Sequence, residues 1–289
     1  MAAPIVLDFD RSVGALPGAL VLDLADRQEA IRFGCSLRMM RALAAELEAR
    51  VPREHGTVFL GSGDYHHVSW PLIERRAASA PFDVVVFDNH PDNMRFPFGV
   101  HCGSWVRQVA LLPYVAHVHV LGIGSADVSR AHAWENYLTP LRRRKLTYWT
   151  IGVDTRWAAR WGLAHAFRAF DTRAALIDRF VEEQRGAKHA IYLSIDKDVL
   201  DPAIARTNWD QGRLLDTDLF AAIDALHGRL VGSDVTGDVS AYRYASWWKR
   251  KLSALDEQPG IDPAQLAAWQ AQQHALNVRL LAHLDAAAR

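Results

Sequence analysis

Residues 190–202 read AIYLSIDKDVLDP, a stretch that joins an apolar, β-branched run to a group of carboxylates. The run is typical of a strand buried on both faces, as in a parallel sheet covered by helices. Asp196 and Asp198 share a face of an extended chain, with their Cα atoms about 7 Å apart. Asp201 and Pro202 fit a turn that caps a helix. The stretch therefore predicts a buried strand that ends in paired acidic side chains.

On both sides of this stretch, short apolar runs alternate with helical patterns over most of the chain. Six further runs have strand character, namely 19–23, 57–60, 83–87, 117–121, 147–151 and 230–235. Helical patterns occupy 27–50, 103–112, 126–142, 172–185 and 216–228. Strands separated by helices indicate a three-layer α/β/α fold with a central, mostly parallel sheet. Because no linker or repeat interrupts the pattern, we predict a single domain over residues 1–289.

Composition argues against several classes of partner. The 33 basic side chains equal the 33 acidic ones, so no net charge attracts nucleic acid or a membrane surface. No apolar run is long enough to span a bilayer. The N-terminus lacks a basic leader, and Cys35 and Cys102 form no paired motif, which favours the cytoplasm. We expect a small-molecule substrate as the partner. An apolar stripe from Leu266 to Leu284 predicts a helix that docks on the core or on another subunit, so a homo-oligomer is left open.

Two more groups of polar residues directly follow predicted strands. Asp88-Asn89-His90-Pro91-Asp92 comes after DVVVF, and Gly61 to His67 come after TVFL. Ligands of open α/β sheets bind beyond the carboxyl ends of the strands, so these groups should meet. On an extended chain Asp88 and Asp92 would lie roughly 13 Å apart, so the chain must curl after Asp88 to bring them to one site.

Counting charges links the three groups. Asp88, Asp92, Asp196 and Asp198 carry four negative charges, which two divalent ions would cancel. Without such compensation, buried carboxylates repel one another. Histidines ligate as neutral imidazoles, and mixed oxygen and nitrogen donors suit Mn, Fe, Co or Zn. A pair of such ions lowers the pKa of a bridging water and supplies a hydroxide nucleophile.

At this point the sequence resembles the arginase/agmatinase/formiminoglutamase (ureohydrolase) family. Its hallmarks are a Gly-Gly-Asp-His-Ser turn, an Asp-Ala-His-x-Asp strand end and a Ser-x-Asp-x-Asp-x-x-Asp-Pro strand end. Residues 194–202 match the last in full, and residues 88–92 match the second with Asn89 for Ala. The first motif departs, because residues 63–66 contain an extra residue. The resemblance covers about residues 57–240.

The resemblance implies two metal ions, with Mn²⁺ the expected metal. By the family pattern Asp88 and Asp196 would bridge both ions. His66 and Asp92 would complete one site, with His67 as the alternative to His66, and His90 and Asp198 would complete the other.

Further residues fall where the family places its catalytic and substrate-binding groups. His101, in the segment GVHCG, resembles the family histidine used for proton transfer, although a buried structural histidine is the alternative. Asp238 stands one residue from the position of a substrate-binding Glu and is expected to face the metals, unless it belongs to a surface turn. Asn93, Trp209 and Asp210 are the other expected substrate contacts.

The resemblance implies hydrolysis of a linear C–N bond in a guanidino, amidino or formimino compound by a metal-bridging hydroxide. Two alternatives stay open because the substrate-binding Glu is missing. One is a metal-dependent amide deacetylase, and the other is a non-catalytic metal-binding module with the same fold.

Overall fold

A nine-stranded sheet forms the centre of the molecule, whose computed structural model describes residues 2–77, 80–255 and 261–289. Every pairing of neighbouring strands in this sheet is parallel. Its strands are β1 (Ile5–Asp8), β2 (Leu20–Asp23), β4 (Val58–Phe59), β5 (Phe82–Phe87), β7 (Val115–Ile123), β8 (Leu146–Ile151), β9 (Phe167–Phe170), β10 (Ile191–Asp196) and β11 (Leu230–Thr236). Two short strands, β3 (Gly34–Cys35) and β6 (Val100–His101), pair separately as an antiparallel ribbon.

The strand order is β2-β1-β4-β11-β10-β5-β7-β8-β9. Strands β4, β11, β10 and β5 are therefore consecutive in the middle of the sheet. Because they run in parallel, their carboxyl ends meet at one edge. The three polar groups predicted from the sequence follow β4, β5 and β10, so the topology brings them together at that edge.

Helices cover both faces of the sheet. They are α1 (Gln28–Ile31), α2 (Leu37–Arg50), α3 (Ser69–Glu74), α4 (Val106–Ala110), α5 (Thr139–Arg142), α6 (Trp157–Arg160), α7 (Arg173–Gln184), α8 (Asp216–Asp224), α9 (Trp247–Leu255) and α10 (Pro263–Ala287). Alternate residues of β5 enter two separate apolar cores, with Val84 and Val86 packing with α2, α3 and α4, and Val85 and Phe87 with α7, α8 and α10. The predicted three-layer α/β/α fold is thereby confirmed.

The predicted C-terminal stripe is part of α10. Leu276, Leu280 and Leu284 are buried in the core beneath α7 and α8, whereas Leu266 and Trp269 are only partly buried. The helix thus docks on the chain's own core through its second half. Among the described residues, no helix combines the length and the apolar character needed to cross a membrane.

Several predicted element boundaries were wrong. The helix predicted over 27–50 is broken between α1 and α2, where Phe33 adopts a φ of 67° and Ser36 caps the second helix. Most of 126–142 consists of short helical turns and irregular chain, with only α5 as α-helix. Strands β1 and β9 were not predicted. Asp201 caps a turn, accepting from the backbone N–H of Ala203, but no helix follows it.

A buried ion pair joins the ends of β10 and β11. Nζ of Lys197 donates to Oδ1 of Asp238 over 2.6 Å and to Oδ1 of Asn277, on α10, over 2.8 Å. Asn277 also donates to Asp238 through Nδ2. Lys197 and Asp238 are completely buried. Asp238 is therefore neither a surface turn nor a group facing the metals, and its expected role as a catalytic and substrate-binding residue does not hold.

We predict that Asp238→Asn destabilises the fold. Loss of the carboxylate would leave the ammonium of Lys197 buried without a counter-charge, which costs about 3–5 kcal/mol in other buried pairs. Urea unfolding would measure the change in the free energy of unfolding. Asp201→Asn serves as the control, because Asp201 caps a turn, has no ion pair with any residue that the structure describes, and its substitution should cost less than about 1 kcal/mol. Equal effects of the two substitutions would contradict a structural role for the ion pair.

Candidate metal centre

Six of the predicted residues meet at the carboxyl edge of the central strands. His66 lies in a helical turn after β4, Asp88 follows β5, and Asp196 ends β10. Two triads offer ligand atoms within 4.8 Å of one another: His66 with Asp88 and Asp196, and His90 with Asp88 and Asp198. Asp88 belongs to both triads. Asp92 joins the first, since its Oδ2 lies 2.9 Å from Nδ1 of His66.

The chain curls after β5 as the spacing of the motif required. Asp92 has a φ of 46°, in the left-handed region that residues other than glycine seldom adopt. Its Oδ2 accepts a hydrogen bond of 2.6 Å from Nε1 of the buried Trp105. The backbone N–H of His90 donates to Oδ1 of Asp88 over 2.6 Å. These contacts hold Asp92 beside Asp88 instead of at the far end of an extended strand.

Both histidines turn Nδ1 toward the carboxylates and engage Nε2 elsewhere. Nε2 of His66 lies 3.0 Å from Oγ of Ser194, whose own proton goes to Asp234, so His66 is the donor in that contact. Nε2 of His90 donates to Oδ1 of Asp210 over 2.7 Å. A proton held on Nε2 leaves the Nδ1 lone pair free for a metal, which is how partners of ligating histidines orient the ring.

Two atoms of the cluster are placed as metal ligands would be, and not as members of a hydrogen-bond network. Nδ1 of His66 and Oδ2 of Asp88 are buried and 3.1 Å apart, yet neither has a hydrogen-bond partner within the described part of the chain. Buried polar atoms without partners are costly. Two ligands bound to one ion at about 2.0–2.2 Å come about this close to each other. The oxygen and nitrogen donors at this position thus suit a divalent cation.

The pKa shifts of the four carboxylates also indicate a site for positive charge. Burial, followed by repulsion from neighbouring carboxylates, raises the pKa of Asp92, Asp196 and Asp198. Burial also acts on Asp88, but the nearby rings of His66 and His90 outweigh it and lower the pKa of Asp88. A cluster with such shifts binds positive charge strongly, whether as protons or as divalent ions.

The orientations of His66 and His67 differ, and this decides which of the two belongs to the cluster. His67 points away from the carboxylates, and its Nε2 contacts the backbone oxygen of Ile31 at 3.1 Å. Burial lowers the pKa of His67 to about 3. His66 is therefore the histidine that belongs to the cluster.

A cavity of about 300 Å³ opens onto the cluster. His101 lines it, and the backbone N–H of Gly103 donates to Nδ1 of His101 over 3.0 Å. Burial lowers the pKa of His101 to about 4, which keeps the ring neutral near pH 7. With Nδ1 accepting, the ring proton sits on Nε2. His101 thus lines the cavity as a neutral ring, and its role in proton transfer stays a prediction.

Of the residues predicted to contact the substrate, some line the cavity and one does not. Trp209 lines the cavity. Asp210 lines its rim with a side chain 69% exposed, but both of its carboxylate oxygens are engaged, one by His90 and one by Nδ2 of Asn89. Asn93 does not line the cavity. It is buried, and its Nδ2 donates to Tyr148 and to the backbone of Tyr137, so its expected role as a substrate contact does not hold.

Sequence reasoning missed part of the cavity lining, namely Phe33, Met94, Phe96, Cys102, Gly103 and Asp127. Met94 and Phe96 lie within four residues of Asp92, and Cys102 and Gly103 adjoin His101, so closeness to the motifs could have suggested them. Phe33 and Asp127 lie inside segments predicted as continuous helices, where no local signal marked them.

Comparisons with known proteins agree with this geometry. The profile of the Arginase family matches residues 11–237. An uncharacterized protein of Thermotoga maritima is 28% identical over 210 residues, which are 72% of this chain and 67% of that protein.

Solved structures show the same fold. Proclavaminate amidino hydrolase from Streptomyces clavuligerus superposes with a TM-score of 0.54 at 17% identity, covering 100% of this chain and 93% of that one. A hypothetical agmatinase from Burkholderia thailandensis also has a TM-score of 0.54 at 17% identity, covering 98% and 87%. Agmatine ureohydrolase of Thermoplasma volcanium has a TM-score of 0.51 at 16% identity, covering 96% and 89%. Since the family match spans all the residues of the metal cluster, this chain belongs to the arginase family.

Proposed function

We propose that this protein is a binuclear metal hydrolase that cleaves a linear C–N bond in a small guanidino, amidino or formimino compound. The observation that carries the proposal is the pair of His/Asp triads that share Asp88 and open onto a cavity. His66, Asp88, Asp92 and Asp196 would hold one ion, and His90 and Asp198 would complete the second site with Asp88 and Asp196. Mn²⁺ is the proposed metal for this donor set.

Each group of the chain has a defined part in this proposal. Two divalent ions bound at such a site activate water as a nucleophile and polarise the substrate. Ser194 and Asp210 keep the two ligating rings in position through Nε2. His101 presents Nε2–H at the cavity, where it can hydrogen-bond to the amine as it leaves. The aromatic part of the lining, including Trp209, limits the access of water.

A substrate screen tests the proposal against its alternatives. The Mn-loaded protein is incubated with guanidino, formimino and N-acetylated compounds, and the release of urea, ammonia and acetate is measured. Urea indicates a guanidino substrate, and formamide, which is measured alongside, indicates a formimino one, because the substituted amine leaves in both cases. Ammonia indicates loss of the terminal nitrogen of an amidine. Acetate would favour the amide deacetylase, and no turnover of any compound would favour the non-catalytic metal-binding module.

We predict that the protein reloaded with Mn²⁺ binds two ions per chain, because four carboxylates need two divalent cations for compensation. Metal analysis after gel filtration measures the stoichiometry, and Asp198→Ala should reduce it toward one by removing a ligand from the second triad alone. Anomalous scattering that locates a single ion in the loaded protein would contradict the binuclear site.

We also predict that Asp88→Ala and Asp196→Ala lower kcat/KM at least about 100-fold, since each removes a ligand proposed to contact both ions. Asp201→Ala should lower it less than about tenfold, because Asp201 only caps a turn beyond the cluster. Initial rates on the substrate found in the screen provide the measurement, with circular dichroism to verify folding. Similar losses in all three folded variants would show that the ligands are misassigned.

A further inference from the structure

Four aromatic rings line the part of the cavity that does not belong to the metal cluster. Phe33, Phe96, His101 and Trp209, here called the aromatic wall, all line it. Phe33 lies between two rings that are nearly parallel to its own: Trp209 at 6.2 Å and 15°, and His101 at 6.0 Å and 13°. Phe96 meets His101 edge-on, with ring centroids 4.5 Å apart. Four separate parts of the chain thus build one continuous aromatic surface beside the metal cluster.

The chain holds Phe33 in place at a conformational cost. A φ of 67° is rare for a bulky residue, and such backbone strain persists only where the surroundings impose it. The N–H of Phe33 donates to the backbone oxygen of Asp64 over 2.9 Å, and its carbonyl accepts from Cys102 over 3.0 Å. Nζ of the buried Lys249 donates to the carbonyl of Arg32, the residue before it, over 2.8 Å. Three hydrogen bonds therefore fix the backbone that carries the central ring of the wall.

Trp209 is anchored through the same buried network. Its Nε1 donates to Oδ1 of Asp64 over 3.2 Å, and Oδ2 of Asp64 pairs with Nε of Arg32 at 2.7 Å. Asp64 thus ties the segment that carries Phe33 to the loop that carries Trp209. A preorganised pair of rings loses little entropy when a ligand binds against it.

Charge decides what this wall can accept. Among the described residues, no lysine or arginine lines the cavity, and its carboxylates outside the metal cluster are Asp127 and Asp210. A carboxylate on the substrate body, held against the wall and away from the metals, would therefore lose its water without gaining a cationic partner. An aromatic or apolar body, in contrast, gains contact with the rings when it leaves water. Asp238 cannot bind the cationic end of a substrate, because its side chain is buried against Lys197.

We propose that the aromatic wall makes this site specific for guanidines or amidines that carry an aromatic or apolar body and no carboxylate. This inference rests on the proposed function for the orientation of the substrate. The reacting carbon would lie at the metal cluster and the body against Phe33 and Trp209. Amino-acid-like substrates, which end in a carboxylate, would be poor ligands.

Binding of three matched guanidines to the Mn-loaded protein tests the inference by isothermal titration calorimetry. Benzylguanidine carries the aromatic body, 4-(guanidinomethyl)benzoate adds only a carboxylate, and methylguanidine lacks the ring. We expect benzylguanidine to bind at least about tenfold more tightly than either of the others. Equal or tighter binding of the benzoate, equal binding of methylguanidine, or no binding of any of the three would overturn the inference.

Substitutions in the aromatic wall test whether its rings cause the preference for benzylguanidine. Phe33→Ala and Trp209→Ala should each reduce the advantage of benzylguanidine over methylguanidine to less than about threefold. Trp161→Ala is the matched control, because Trp161 is 52% exposed and does not line the cavity. Metal content and circular dichroism show whether each variant is folded and loaded. An unchanged preference in folded Phe33→Ala and Trp209→Ala would overturn the assignment.

Urea release measured in the same samples separates the two proposals. Tight binding of benzylguanidine without urea from any guanidine would count against hydrolysis and leave the binding preference intact. Urea from the benzoate at a kcat/KM equal to or above that of benzylguanidine would uphold hydrolysis and overturn the specificity.

Discussion

Burial of several carboxylates at one edge of a parallel sheet is the constraint on which the rest of the structure depends. Asp88, Asp92, Asp196 and Asp198 are all at most 4% exposed, in surroundings that penalise negative charge. Such a cluster exists only if positive charge compensates it. The inward Nδ1 atoms of His66 and His90, with Nε2 of each ring engaged behind, have the arrangement that histidines adopt when they ligate a metal.

The loops that carry these ligands are held by polar contacts behind the cluster. Lys197 lies between Asp196 and Asp198 in sequence, and its buried pair with Asp238 joins the ends of two neighbouring strands. Asn277 connects the same pair to α10. The C-terminal helix, which is far from the metal motifs in sequence, therefore stabilises the loop that presents two of their ligands.

A second buried network supports the other side of the cavity. Arg32 is 1% exposed and pairs with Asp64, which in turn receives the indole N–H of Trp209. The arginase-family match spans the cluster, whereas this network and the Lys197–Asp238 pair hold the segments around it. Asp238, which was expected to contact the substrate, instead forms a buried ion pair. Aromatic rings form the surface next to the cluster.

Local sequence was sufficient for the fold class and for the histidines and aspartates that gather in the cluster. Apolar runs that end in Asp88 or Asp196 specify both a buried strand and the polar group beyond it, because parallel strands end at a common edge. The positions of Phe33, Asn93 and Asp238 could not be read in this way. Their environments depend on partners 31 or more residues away in sequence, such as Asp64 for Phe33 and Lys197 for Asp238, or on a backbone conformation that long-range contacts impose. The sequence by itself determined which side chains gather at the strand ends, and only the tertiary structure decided which face the cavity, because that choice depends on the pairing of buried charges and on packing between distant segments.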